Sequence, residues 1–133
     1  MPFSPRDSKG LLISSIEDNN PVIFIEHRWL HSIKQQVPKS YYKIKIGKGR
    51  VARQGQDISL VSYSYGVFEC LKASKILKEK FNISAEVIDL RTIRPLDKNI
   101  ILKSVKKTKR ILAVDNSWKS FGVSAEIISI ITD

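Results

Sequence analysis

Cysteine is almost missing from this chain. The single residue Cys70 excludes an internal disulfide and any cysteine-based metal cluster, and that usage suits a reducing cytoplasm. Histidine is nearly as scarce, with only His27 and His31. Their spacing of four could share a metal on a helix, but no third ligand stands nearby, so a structural or interface role is expected. No apolar run approaches the roughly 20 residues of a membrane span, and Met1-Pro2-Phe3-Ser4 has neither the basic end nor the apolar block of a secretory leader. Neither membrane insertion nor secretion is therefore expected. The six glycines form neither a phosphate loop nor a dinucleotide fingerprint.

Acidic residues are few as well: 13 against 23 basic ones, a net charge of +10 over 133 residues. Such an excess invites a nucleic-acid reading, because Lys and Arg clusters neutralise phosphates. Here the charge is spread over several segments, mostly as Lys at helix-surface positions, and no nucleic-acid module accompanies it. A solvated basic surface, or a face that docks on an acidic partner, is the expectation, and nucleic acid is not.

What is present is an apolar share of 42%, enough for a real core. The length allows one domain, or one domain and part of another. Ser4 to Asn20 reads as a helix, capped by Ser4 with Pro5 at its first position and Asp7 at its positive end. Its narrow apolar face would hold Leu11, Leu12, Ser15 and Ile16, and Asp18-Asn19-Asn20-Pro21 would end it. Val22 to Glu26 reads as a buried strand. From His27 to Lys45 no period survives, which predicts a linker.

Beyond Ile46, strands at Gly47–Arg53, Ile58–Tyr63, Val87–Leu90 and Ile111–Asp115 alternate with helices at about 67–81, 97–107 and from Val123 onward. The first is an edge strand and the last three are apolar. This alternation predicts an α/β fold with a mostly parallel sheet and helices on both faces. The stretch Ala85 to Asp97 organises it: an apolar strand, then Arg91 and Arg94 in a loop, then Pro95 and a possible cap at Asp97. Strand ends of this kind carry the functional loops of open parallel sheets, with Arg91 and Arg94 as anion-binding candidates. Cys70 falls on the apolar side of its helix and reads as core. Asp89 and Asp115 end strands, as phosphoacceptors do, but the paired early acids of a receiver domain are missing. The residues show no complete catalytic constellation.

Several words are nevertheless familiar. Ser4-Pro5-Arg6-Asp7-Ser8-Lys9-Gly10-Leu11-Leu12 and Asp18-Asn19-Asn20-Pro21-Val22-Ile23-Phe24-Ile25-Glu26-His27-Arg28 resemble the end of the pyrimidine-binding domain in beta subunits of thiamine-diphosphate-dependent 2-oxo acid dehydrogenases, of the pyruvate or branched-chain type. Gly47-Lys48-Gly49-Arg50-Val51, Glu86 to Asp97, Asp115-Asn116-Ser117-Trp118 and Gly122 to Ile127 resemble the transketolase C-terminal domain of the same subunits. The resemblance is collinear over nearly the whole chain.

It implies a three-layer α/β/α domain whose mostly parallel sheet has one antiparallel edge strand. The expected organisation is a remnant of a pyrimidine-binding domain at 1–26, a linker at 27–45, and a transketolase C-terminal-like domain at 46–133, truncated at its C-terminus. It also implies partnership with an alpha subunit, a second beta subunit and a lipoyl acyltransferase, in an enzyme using thiamine diphosphate and magnesium. The cofactor-activating glutamate would lie in the part of the pyrimidine-binding domain that precedes these residues. No catalytic or cofactor-binding residue is therefore expected here, and the piece alone should be inactive. By the same resemblance, backbone carbonyls of Ser15, Asp18 and Asn20 would hold a potassium ion. Arg91 and Arg94 shift from anion ligands toward interface or structural pairing. The alternatives are the C-terminal part of a transketolase or deoxyxylulose-phosphate synthase, and a noncatalytic basic binding module.

Overall fold

A computed structural model of the chain describes residues 1–132, so Asp133, the last residue of the expected second domain, lies outside the described residues. Helix α1 spans Pro5–Ile16, with Ser4 at the cap accepting from the Asp7 N–H at 3.2 Å and Pro5 opening the first turn. A short 3-10 turn covers Arg28–Leu30. The remaining elements are β1 (Arg50–Arg53), β2 (Ile58–Ser62), α2 (Tyr65–Phe81), β3 (Ala85–Asp89), α3 (Lys98–Thr108), β4 (Ile111–Ala113) and α4 (Val123–Thr132).

The four strands lie in the order β1-β3-β2-β4. β1 runs antiparallel to β3 at one edge, while β2 is parallel to both β3 and β4. Successive residues of a strand point to opposite faces, and the two cores follow that rule. Leu60 and Val87 join Ala85, Val67 and Cys70 under α2. Val61 and Ile88 join Leu90 and the helix residues Ile101, Ile127 and Ile130 on the other face. Three layers result, as the pattern of strands and helices predicts. All five residues of β3 are buried, because helices cover both of its faces and a strand flanks each side.

Leaving β2, the chain crosses through α2 to β3 on one side, then returns through α3 to β4 on the other. Its lateral direction therefore reverses between β2 and β4. In open α/β sheets a crevice forms at the carboxyl ends of strands flanking such a reversal.

Under α3 the interior is polar. The Ser59 hydroxyl lies 2.6 Å from that of Ser104 and 2.7 Å from that of Thr108, and Ser104 donates to the Glu86 carboxylate at 2.7 Å. Lys107 pairs with the other oxygen of Glu86. Every member of this network is satisfied, which is the condition for tolerating it in a core.

Several sequence expectations change. Val22–Glu26 forms no strand: no sheet strand runs beside it to supply ladder bonds, and Ile23 is 86% exposed. On α1, Leu11 is buried but Leu12 and Ile16 are exposed. The helix buries Asp7, Gly10 and Leu11 instead, and Gly10 lies so close to Tyr42 and Ile44 that a Cβ there would meet them at 2.6–2.8 Å. Phe81 ends α2 facing solvent, 64% exposed. β4 is shorter than expected and only partly buried, since it forms the other sheet edge. Asp97 occupies the cap position of α3 without capping it, because its carboxylate accepts from the Gly49 N–H at 3.2 Å.

Candidate functional site

The polar groups that converge most tightly lie where β3 ends and β1 begins. Antiparallel pairing sets Arg50 opposite Asp89, and the Arg50 Nε donates to Asp89 Oδ2 at 3.2 Å. From α1, the Asp7 carboxylate enters between two arginines: Oδ2 lies 2.9 Å from an Arg50 terminal nitrogen, and Oδ1 lies 2.7 Å from Arg91 Nη2. The Ser4 hydroxyl donates to the same carboxylate at 2.6 Å. Arg91 holds a left-handed backbone, φ 59°, which lets its N–H turn back to Asp89 Oδ1 at 3.1 Å. Two buried carboxylates and two partly buried guanidinium groups thus neutralise one another.

The balance is uneven. Burial, and behind it the neighbouring Asp7 charge, push the Asp89 carboxyl up to about 6, against the pull of Arg50 and the Arg91 N–H. Arg91 Nε is buried with no partner among the described residues. Beside the cluster lies an open cavity of about 460 Å³, with walls that include Arg6, Tyr42, Lys43, Ile44, Arg50 and Arg91. Further bonds fasten the preceding segment: the Lys9 ammonium meets the carbonyls of Pro38 and Ser40 at 2.6 and 2.9 Å, and the Ile44 N–H donates to Gly10 O at 3.1 Å. The junction can do mechanical rather than bond-making work. It clamps the N-terminal helix onto the strand ends of the sheet.

Of the two loop arginines, Arg91 is a structural partner, while Arg94 is exposed and enters no ion pair among the described residues. Cys70 is buried, and burial pushes its thiol up to about 11. His27 stacks on Tyr65 with centroids 4.7 Å apart, and His31 lies 3.7 Å from Glu26. No group of three or more His, Cys, Asp or Glu that could hold a metal ion occurs among the described residues.

Ser15 lies in the last turn of α1, and Asp18 and Asn20 follow the helix end at Ile16. The Ser15 hydroxyl donates to Leu11 O at 2.8 Å, and Asp18 Oδ1 accepts from both nitrogens of Asn20 at 2.9 Å. The side chains are thus engaged locally. Last-turn helix carbonyls lack intrahelical partners and sit at the negative end of the dipole, an environment that suits a cation.

Asp115 is held differently. Burial alone would raise its carboxyl, but hydrogen bonds from the Tyr63 hydroxyl and the Ser124 and Ser117 N–H groups outweigh it and bring it down to about 2. Beyond it the loop presents Trp118, 89% exposed, and Phe121.

Asp7 and Arg50 escaped the sequence reading as site residues. Asp7 looks like an ordinary first-turn acid, and its partner Arg91 stands 84 positions away. The Ser-x-x-Asp spacing at Ser4–Asp7 signals the cap but not the burial of the charge.

Comparison with known proteins gives a consistent picture. The family described as transketolase, C-terminal domain, matches residues 47–133. Pyruvate dehydrogenase E1 component subunit beta of Bacillus subtilis (strain 168) is 48% identical over 134 aligned positions, spanning 100% of this chain and 41% of the relative. The same subunit of Staphylococcus epidermidis is 47% identical over 96% of this chain and 39% of its own length. That of Staphylococcus aureus is 43% identical over 100% and 41%. The chain therefore spans about two-fifths of the length of these curated relatives. Among solved structures, a protein titled split gene transketolase, inactive beta4 tetramer, superposes with a TM-score of 0.64 at 22% identity, over 72% of this chain and 33% of that one, a likeness of fold alone.

Proposed function

The chain belongs to the transketolase C-terminal domain family, and from that premise we propose that it is part of the beta subunit of a thiamine-diphosphate-dependent 2-oxo acid dehydrogenase. One observation carries the reading. Identity to pyruvate dehydrogenase beta subunits runs collinearly through the whole chain, including residues 1–46, which precede the transketolase C-terminal match. A bare transketolase-type domain gives no reason for that extension. The reaction is oxidative decarboxylation of pyruvate or a branched-chain 2-oxo acid, with transfer of the acyl group to a lipoyl carrier.

Within that enzyme, residues 1–26 are the end of a pyrimidine-binding domain, 27–45 the linker, and 46–133 the C-terminal domain. The partners are an alpha subunit, a second beta subunit and the lipoyl acyltransferase, in the cytoplasm. No helix among the described residues is long and apolar enough to cross a membrane.

The residues present do not fit the cofactor on their own. Glu86 is the one buried glutamate among the described residues, and Ser104 and Lys107 already occupy both of its oxygens, so it is not free to meet a cofactor nitrogen. The role of this part is assembly. Support comes from the Asp7–Arg91 clamp and from the exposed apolar side chains Leu12, Ile16, Ile23, Ile25 and Trp29, which lie on the segment leading into the clamped domain. Solvent-facing apolar groups in such number mark surfaces covered in an assembly. The carbonyls of Ser15, in the last turn of α1, and of Asp18 and Asn20, just beyond it, would hold potassium near the negative end of the helix.

Co-expression of a full-length beta subunit that contains this chain with an alpha subunit, followed by a dye-linked 2-oxo acid oxidation assay with thiamine diphosphate and magnesium, tests the reading. Activity with pyruvate or a branched-chain 2-oxo acid is expected. Inactivity with every 2-oxo acid, together with ketol transfer between sugar phosphates, would overturn it in favour of a transketolase.

A further inference from the structure

The reversal of chain direction beside β2 leaves a crevice between the carboxyl ends of β2 and β4. It contains a cavity of about 50 Å³ whose walls include His27, Ser62, Ser64, Tyr65, Gly66 and Asn116. A buried water needs roughly 10–15 Å³ on this measure, so there is space for a group of several heavy atoms.

Ser64 occupies the cap position of α2 with φ 50° and ψ −129°, a backbone that glycine adopts readily and a side-chain-bearing residue does not. Its side chain makes no capping bond, is 2% exposed, and its Oγ has no hydrogen-bond partner among the described residues. Buried hydroxyls without a partner are rare, and one in a strained backbone at a cavity wall points to a ligand.

The helix that opens at Ser64 favours a negative charge in that ligand. α2 is 17 residues long, and its N-terminus directs a positive dipole end at the crevice. The Gly66 and Val67 N–H groups bond back to the Tyr63 and Ser64 carbonyls at 3.1 Å, which leaves the Tyr65 N–H as the first-turn donor without a backbone partner. His27 also lines the cavity, its Nδ1 accepting from the Trp29 N–H at 3.4 Å. The adjacent carboxylate of Asp115 is turned onto Tyr63, Ser117 and Ser124.

We propose that this crevice binds a small oxyanion, a carboxylate or phosphate group, with the Ser64 hydroxyl and the first-turn amide of α2 as its donors. The site is independent of the function proposed above.

Amide NMR of the 133-residue chain tests it, with sodium phosphate in one arm and sodium acetate in the other, each against sodium chloride at equal ionic strength. Saturable shifts of the Tyr65 and Gly66 amides are expected in at least one arm and not with chloride. Ser64→Gly suits the backbone, so that variant should melt at the same or a higher temperature while its affinity falls about fivefold, the effect of one neutral hydrogen bond. Lys75→Ala, on the exposed face of α2, removes a charge remote from the crevice and should bind as the parent does. Three outcomes overturn the proposal: no saturable shift in either arm, equal shifts with chloride, or undiminished affinity in Ser64→Gly.

Discussion

Arg91 Nη2 lies 2.7 Å from Asp7 Oδ1 and ties α1 to the end of β3 across 84 positions of sequence. Asp7 is fully buried, so its charge has no recourse to water once the pair is broken. Removing one partner of a buried pair costs about 3–5 kcal/mol, because the other charge stays behind uncompensated. Asp7→Ala also strips Arg50 of one of its two carboxylates. The expected result is a loss of about 3 kcal/mol in denaturant unfolding, with early proteolysis within residues 1–45.

The pH dependence of stability should carry a mark of Asp89. Its carboxyl stands at about 6 in the folded chain against an ordinary 3.8, so between those values the folded state holds more protons than the unfolded. Stability from this residue is therefore fully present below about pH 4 and is lost as pH rises through about 6, a change on the order of 3 kcal/mol. Asp115 acts in the opposite sense: held at about 2, it supports the fold above pH 4 and ceases to as pH falls toward 2. Unfolding midpoints measured from pH 4 to 7 should show a slope that Asp89→Asn flattens.

How much of this was legible in the sequence follows from which interactions are local. The Ser4 cap and the helix at Val67 to Phe81 rest on contacts within a few residues, and the strands announce themselves by local apolar runs although their partners are distant. The junction rests on partners 39 and 84 positions apart. Nothing in the spelling of Asp7 distinguishes a solvated first-turn acid from a buried one. Val22–Glu26 failed for a related reason. An apolar run is compatible with a strand, but a strand exists only beside another, and none of the four sheet strands pairs with this one. Ser64 was invisible because a serine after a strand is ordinary until its backbone angles are known.

Cys70 should behave as a core residue rather than a reagent. Its thiol is buried under α2 and raised to about 11, so almost none is thiolate near neutral pH. Ellman's reagent should react with the native chain only as fast as it unfolds, and at once in denaturant. Cys70→Ala should lower stability by about 1–2 kcal/mol through the cavity it leaves.

Arg94 offers the contrast that separates folding from assembly. It shares the β3–α3 loop with Arg91 but is exposed and unpaired among the described residues, next to the exposed Ile93. Surface substitutions away from packed or paired groups usually stay within about 0.5 kcal/mol. Arg94→Ala should therefore unfold at the same denaturant concentration as the parent, unlike Asp7→Ala. If the loop faces a partner subunit, the variant should show weaker association in sedimentation experiments with the alpha subunit, with cofactor affinity in the assembled enzyme unchanged. An arginine pointing at solvent in an isolated chain has no reason to matter for either property. Selective loss of 2-oxo acid affinity with intact assembly would instead make Arg94 an anion ligand, the role that its position at a strand end first suggests.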